Sequence, residues 1–382
     1  MNGAHSPSAL DSSRERELLI ALNAAEQIPR DKALVLARSP ATWATGRHSE
    51  DHQTAHTLGV DTKSLRAAKS LLGPAAGIAA RETRNAEASG ARIITRLDPE
   101  LPAQLGELDL PPPVLYCRGE LTAAPAVAIV GSRDADAYGL EVAERFATDL
   151  ASRGVVVVSG LARGVDTAAH RGALAAGGKT VAILGCGIDV DYPRGHRKLS
   201  DRIARNGALV SEFRMGTHPE AWRFPVRNRI IAALAIGTLV VRATERSGSL
   251  ITARLSLELG RDVYALPGNI YDRRSVGPNS LIRDGALAVQ QASDIIEALP
   301  SRQQDRLVPV DGNVSGSGER GLPGTRTERA VLDVVPRGEL IPQDEVVAMT
   351  GLPIEEVLAH LLSLELGGWV RRYPGPSYCR RP

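Results

Sequence analysis

The run Ala126-Val127-Ala128-Ile129-Val130-Gly131-Ser132-Arg133 decides the fold. Five apolar residues stand in a row without polar alternation, and the chain then meets a glycine, a small hydroxyl and a guanidinium. Successive side chains of a strand point to opposite faces, so an unbroken apolar strand is buried on both, as in a parallel sheet covered by helices. The same pattern, a short β-branched run followed by glycine and a helix-like stretch, recurs at 155–158, 181–184, 209–210, 239–241 and 263–266. Residues 126–298 are therefore predicted to form an α/β domain with a doubly wound parallel sheet. Its ligand site is expected at the carboxyl edge, where strands give way to helices.

Composition bounds what surrounds this domain. A chain of 382 residues accommodates two or three modules at ~100–200 residues each. Apolar residues at 43% and charged residues at 24% exclude a collagen-like, coiled-coil or wholly disordered protein. Aromatic residues make up only 3%, so the core is built from Ala, Val, Leu and Ile, and an aromatic in a turn calls for a reason. The formal charge is +2, so any nucleic-acid site is a local cluster of charge. Five of the 46 basic residues are lysines, at 32, 63, 69, 179 and 198; arginine suits bidentate phosphate contacts, although a GC-rich genome produces the same bias. Cys117, Cys186 and Cys379 are odd in number and far apart, which argues against a disulfide framework or a zinc site and for a reducing compartment. The longest apolar stretch, 230–241, falls short of the ~20 residues that span a bilayer. With no signal-peptide pattern, a cytoplasmic protein without a membrane partner is expected.

Along the chain, Leu18, Leu19 and Leu22 and then Leu65, Ala68 and Leu72 recur at helical spacing, with Asp61 as an N-cap. Residues 14–92 thus read as a helical module. Residues 91–121, broken by Pro99, Pro102 and Pro111 to Pro113, read as an irregular connector at the start of a domain spanning 93–300. Residues 301–325 read as a flexible linker. In 326–382, three short helical patterns followed by a β-like pair fit either a winged helix or a small packing bundle.

Chemistry is sought in the glycine turns. Gly131-Ser132-Arg133 ends a strand before a helix, where unpaired amides and a guanidinium suit a phosphate; alone, it reads equally as a tight turn with a solvated arginine. In Gly160-Leu161-Ala162-Arg163-Gly164-Val165-Asp166, Asp166 is read as a helix cap and His170 as a structural histidine rather than a metal pair. Gly185-Cys186-Gly187 leads to Tyr192-Pro193-Arg194 and lacks the dinucleotide fingerprint, which disfavours redox chemistry. Phe224-Pro225-Val226-Arg227-Asn228-Arg229 interleaves a ring with guanidinium groups, as single-stranded nucleic acid requires for base stacking and phosphate contact; the competing reading is a helix start whose Phe is core. Ser247-Gly248-Ser249 through Thr252 opens another helix with small hydroxyl residues suited to anions.

Taken in order, Gly131-Ser132-Arg133, the 159–166 turn with Ala169-His170, Tyr192-Pro193-Arg194, Ser211-Glu212, the 224–231 segment, the 247–253 segment, Gly260-Arg261, Pro267-Gly268 and Gly277 through Gly285-Ala286 resemble the DNA-processing protein A (DprA, or Smf) family over about residues 95–298. The resemblance implies an extended Rossmann-like fold with a helical SAM-like module before it and a winged helix after it. It also implies a non-enzymatic protein without cofactor that binds incoming single-stranded DNA during natural transformation, protects it and helps load the RecA recombinase. Arg133 and Arg194 match positions of the family's DNA pocket, and 277–289 matches its homodimer contact.

The expected DNA-binding set is accordingly Gly131, Ser132, Arg133, Gly160, Arg163, Arg194, Phe224, Arg227, Asn228, Ser247, Gly248 and Thr252. No catalytic residue and no metal ligand are assigned. Arg242 stands where relatives usually carry an acidic residue, and it is expected to tighten the grip on phosphates. The alternatives are a Rossmann-like nucleotide-processing hydrolase, whose Pro-Gly-Gly-x-Gly-Thr-x-x-Glu loop is absent, and a division of labour in which the C-terminal tail reads DNA while the α/β domain docks protein.

Overall fold

The computed structural model describes residues 10–45, 48–307, 325–337, 339–373 and 375–380. Its centre is a nine-stranded sheet built from β1 (Arg92–Thr95), β2 (Val114–Gly119), β3 (Ala126–Val130), β4 (Val156–Ser159), β5 (Thr180–Leu184), β6 (Ala208–Ser211), β7 (Gly237–Val240), β8 (Asp262–Ala265) and β9 (Leu287–Ala288). Their spatial order is β1-β2-β6-β5-β4-β3-β7-β8-β9. Every pairing from β6 to β9 is parallel, as the unbroken apolar runs require. Alternate residues of β3 go to opposite layers. Val127 and Ile129 pack with Phe146 and Leu150 of the helix Ala137–Ser152, whereas Ala128 and Val130 pack with Ile230 and Ile231 of the helix Arg223–Leu234. Each of the larger side chains among these, the Val, Ile, Leu and Phe, contributes about 1.5–3 kcal/mol when fully buried.

One expectation is corrected here. The segment 91–121 is not merely a connector, because β1 and β2 form an antiparallel pair that joins the sheet through β6. The N-terminal region is helical, and its core is shared with the α/β domain. Its helices, Ser12–Ala24 to Ala75–Ala88, contribute Leu18, Leu22, Leu65 and Trp43 to a core continuous with Tyr116, Leu184 and Ile203 of the α/β domain. Polar contacts cross the same boundary. The Tyr116 hydroxyl donates to Glu82 Oε2 at 2.8 Å, and Arg30 pairs with buried Glu212 at 2.8 Å.

Of the expected linker, 308–324 lie outside the described residues, and Ser301–Gln304 form a short helix. Beyond it, the helices Arg326–Val334, Gln343–Thr350 and Ile354–Leu366 pack on a three-stranded sheet of β10 (Ile341–Pro342), β11 (Val370–Tyr373) and β12 (Ser377–Arg380), in the order β10-β12-β11. This is a winged helix. Among the described residues no single helix is long and apolar enough to cross a membrane.

Candidate nucleic-acid interface

After β3 the chain lays β4, β5 and β6 on one side, then crosses back to place β7 against the other side of β3. This is the topological switch point, where the loops leaving β3 and β7 diverge and open a crevice. The two loops are tied together, since the Ser132 amide donates to Arg242 O at 2.6 Å. Between them lies a cavity of about 390 Å³, enough for a small ligand or part of a larger one. Gly131 permits the approach, because a Cβ there would lie 2.9 Å from Arg242 O.

Nine of the twelve expected residues line this cavity: Gly131, Ser132, Arg133, Phe224, Arg227, Asn228, Ser247, Gly248 and Thr252. They arrive from two loops, 131–133 and 247–248, and the first turns of the helices Arg223–Leu234 and Ser249–Glu258, so their convergence is a product of topology. Gly160, Arg163 and Arg194 do not line it. Gly160 sits behind the wall, where its carbonyl accepts from Arg227 Nη1 at 2.8 Å. Arg163 and Arg194 are exposed nearby, on the turn containing the lining residue Ala162 and just after Tyr192.

Aromatic and cationic groups are layered at the mouth. The Arg133 guanidinium lies 4.8 Å from the Phe224 ring centroid, and Tyr192 lies 5.4 Å from it on an inclined plane. Phe224 fits against the sheet edge because Gly185 has no side chain; a Cβ there would be 2.7 Å from the ring. Phe224 is half-buried, so it is neither the free ring nor the core residue that its sequence context offered as alternatives. Arg133, Arg163 and Arg194 are exposed and pair with no carboxylate among the described residues. Asp134 also lines the cavity and lowers its net positive charge.

Four expectations about individual groups are overturned. Arg227 is 3% exposed and donates to the carbonyls of Gly160 and Ile183. Burial pulls its guanidinium down to about 10, against the opposing pull of Asp166; it is a strut of the cavity floor, still charged at neutral pH. Asp166 does not cap its helix, which runs Val165–Ala175 with Gly164 at the N-cap position. Its carboxylate instead accepts from the amides of Gly160 (3.2 Å) and Ala162 (3.3 Å), fixing the turn ahead of it, while burial raises its pKa. Arg242 is buried and engaged within the protein. It pairs with Asp136 at 2.9 Å and Asp272 at 3.3 Å and donates to Ser275 Oγ. Finally, the glycine turns offer fewer free amides than expected, because those of Ser132, Asp134 and Ser249 have partners within the loops. The open binding groups are therefore side chains: guanidinium, hydroxyl and ring.

Sequence reasoning missed Gly185 as the seat for Phe224, whose signal is a glycine with no turn requirement ahead of an aromatic partner distant in sequence. It also left Arg229 undecided beside Arg227; Arg229 pairs with buried Glu212 and donates to Leu110 O at 3.0 Å.

A doubly wound α/β body whose switch-point crevice is edged by arginines and an aromatic ring defines the class, a Rossmann-like protein with a winged helix appended. Within that class, residues 92–300 match the family model of DNA recombination-mediator protein A and residues 321–376 match the DprA winged helix domain. The chain belongs to the DNA recombination-mediator protein A (DprA/Smf) family. It is 41% identical over 274 residues to protein Smf of Escherichia coli, covering 69% of this chain and 71% of that protein. It is 44% identical over 202 residues to the DNA processing protein DprA of Streptococcus pneumoniae, covering 52% and 71%. The crystal structure of the S. pneumoniae protein superposes with a TM-score of 0.65 at 33% identity, covering 75% of this chain and 98% of that one. The Helicobacter pylori DNA processing protein A, described for its single-stranded DNA binding mode, superposes with a TM-score of 0.50 at 31% identity, covering 55% and 96%.

Proposed function

We propose that this protein binds single-stranded DNA in the switch-point crevice and acts as a recombination mediator without catalytic activity. The observation that carries this reading is the layering of Arg133, Phe224 and Tyr192 at the crevice mouth, with Arg163 and Arg194 exposed beside it. A base stacks on the ring while neighbouring phosphates meet unpaired guanidinium groups. The single-stranded DNA binding described for the H. pylori relative supports the reading. Titration of a labelled oligothymidine against wild type and Arg133→Ala at several salt concentrations tests it. Equal affinities for the two proteins refute the site.

The hydrolase alternative needs an accessible carboxylate. In this crevice Asp166 is buried against two amides, which leaves Asp134 as the exposed carboxylate among the lining residues; release of free base from nucleotides, lost in Asp134→Asn, would favour the alternative. The other rival, a DNA-reading tail, meets an electrostatic difficulty. The helix Ile354–Leu366, placed where a winged helix reads DNA, carries Glu355, Glu356 and Glu365 and no lysine or arginine. Removal of 301–382 is expected to leave single-strand affinity unchanged.

In the cell the protein would protect incoming DNA during natural transformation and help load RecA in the cytoplasm. It would work as a homodimer through 277–289. Support for the dimer comes from the sheet edge at β9, where Leu287 is exposed and unpaired backbone invites association, with Ile270 and Tyr271 exposed nearby in sequence. RecA filament formation on an oligonucleotide, timed with and without the protein, tests the mediator role.

A further inference from the structure

A second cavity, of about 540 Å³, lies between the N-terminal helices and the α/β body. Its wall carries Phe213 and Trp222, whose centroids are 6.4 Å apart in an edge-to-face arrangement. Arg223 lies 5.0 Å from the Trp222 ring and 5.6 Å from Phe213, and Arg30 lies 6.0 Å from Phe213. Trp222 is 47% exposed, whereas Trp43 is fully buried. A chain with three tryptophans thus leaves nearly half of one open beside a cavity. The cations are partly compensated, since Arg223 pairs with Glu220 at 2.9 Å and Arg214 with Glu26. That compensation suits a flat, uncharged group stacked on a ring better than a multiply charged phosphate.

The two cavities share one wall. Ala221 and Phe224 line the first, while Glu220, Trp222 and Arg223 line the second, and the ridge Ala221–Trp222 between them is exposed. We propose that the second cavity is a base-stacking subsite, in which Trp222 receives a nucleobase of the same DNA strand after the strand leaves the crevice over this ridge. The proposal rests on the strand-binding reading and extends its track toward the N-terminal helices. Arg223 holds the ring in place from one side, and the open part of the indole takes the base.

The test uses the full chain and two labelled oligothymidines. One has about four nucleotides, near the lower end of single-strand site sizes, and the other about 20. Trp222→Ala is expected to weaken the long oligonucleotide roughly five- to 150-fold, the span of one stacked base, and to leave the short one unchanged. Binding of the short oligonucleotide also reports that the variant is folded. Independently, the long oligonucleotide is expected to quench wild-type tryptophan fluorescence, and Trp222→Phe is expected to abolish most of that quench while binding persists by anisotropy. Unchanged affinity for the long strand, equal weakening of both lengths, or a full quench in Trp222→Phe overturns the subsite and leaves the crevice reading standing. Failure of wild type to bind either length sinks the crevice reading itself.

Discussion

Two arginines of the same crevice are expected to fail in opposite ways when cut to alanine. Arg133 is exposed, lies over the Phe224 ring and has no carboxylate partner among the described residues. Its removal leaves no buried group stranded, so the melting temperature is expected to stay within a degree or two. What is lost is a phosphate contact. Release of counterion from one phosphate of a single strand accounts for about 0.7 of a log unit in affinity per tenfold change in salt, or about fivefold between 0.1 M and 1 M. A charge-assisted hydrogen bond adds about 1.5–3 kcal/mol in favourable geometry. The lost hydrogen bond alone predicts binding weakened by roughly ten- to 150-fold at 0.1 M salt, and the lost counterion release predicts a salt slope shallower by about 0.7.

Arg227 is the counterpart. Its guanidinium satisfies the carbonyls of Gly160 and Ile183 and offsets buried Asp166. Breaking such a buried arrangement costs about 3 kcal/mol or more, which lowers the melting temperature of a domain this size by roughly 6–12 °C. Calorimetry and fluorescence anisotropy on the two variants read both effects. An Arg133→Ala protein with unaltered affinity and salt slope, or an Arg227→Ala protein that melts like wild type, would refute the assignment of one to the ligand and the other to the floor.

Gly160→Ala is expected to destabilise by about 1–3 kcal/mol, because its Cβ would sit 2.6 Å from Arg227 Cζ; chemical denaturation checks it. Arg242→Ala is expected to cost about 1–3 kcal/mol of stability by stranding Asp136 and Asp272 while single-strand affinity stays the same, and a drop in affinity without loss of stability would restore Arg242 to the phosphate grip. For Glu212, burial raises the pKa, but Arg229 and Arg30 outweigh it and hold the carboxyl below its ordinary value. A depressed folded-state pKa contributes stability above the unfolded value near 4.5 that is lost as pH falls through the folded one. Glu212→Gln is therefore expected to melt below wild type at pH 7, with the gap closing under acid conditions in melts recorded from pH 7 to 3. Leu287→Arg at the sheet edge is expected to shift a dimer toward monomer in sedimentation velocity.

The parallel core was legible because its strands are apolar on both faces; 126–130 and 239–241 announce themselves without help from the rest of the chain. The crevice was legible for the same reason, since glycine turns at strand ends converge once the topology is doubly wound. What local sequence does not carry is burial. Phe224 to Arg229 reads as one cationic patch, yet a helix turns Arg227 into the floor and Arg229 toward Glu212, while Phe224 and Asn228 line the cavity. Arg242 was misread likewise, because its partners Asp136 and Asp272 are far away in sequence. The strands at 92–95 and 114–119 were hidden by intervening prolines, which interrupt the pattern but lie in the connection rather than in the strands.

The shared core beneath the first helices sets a practical limit on dissection. A fragment begun at residue 92 would remove Leu18, Leu22 and their neighbours from the core they share with Tyr116, Leu184 and Ile203, strip the Tyr116 hydroxyl of Glu82, and leave Glu212 without Arg30. Such a truncated protein would be sticky and acid-shifted for reasons unrelated to DNA, so the amino-terminal helices serve as a permanent roof rather than a detachable accessory.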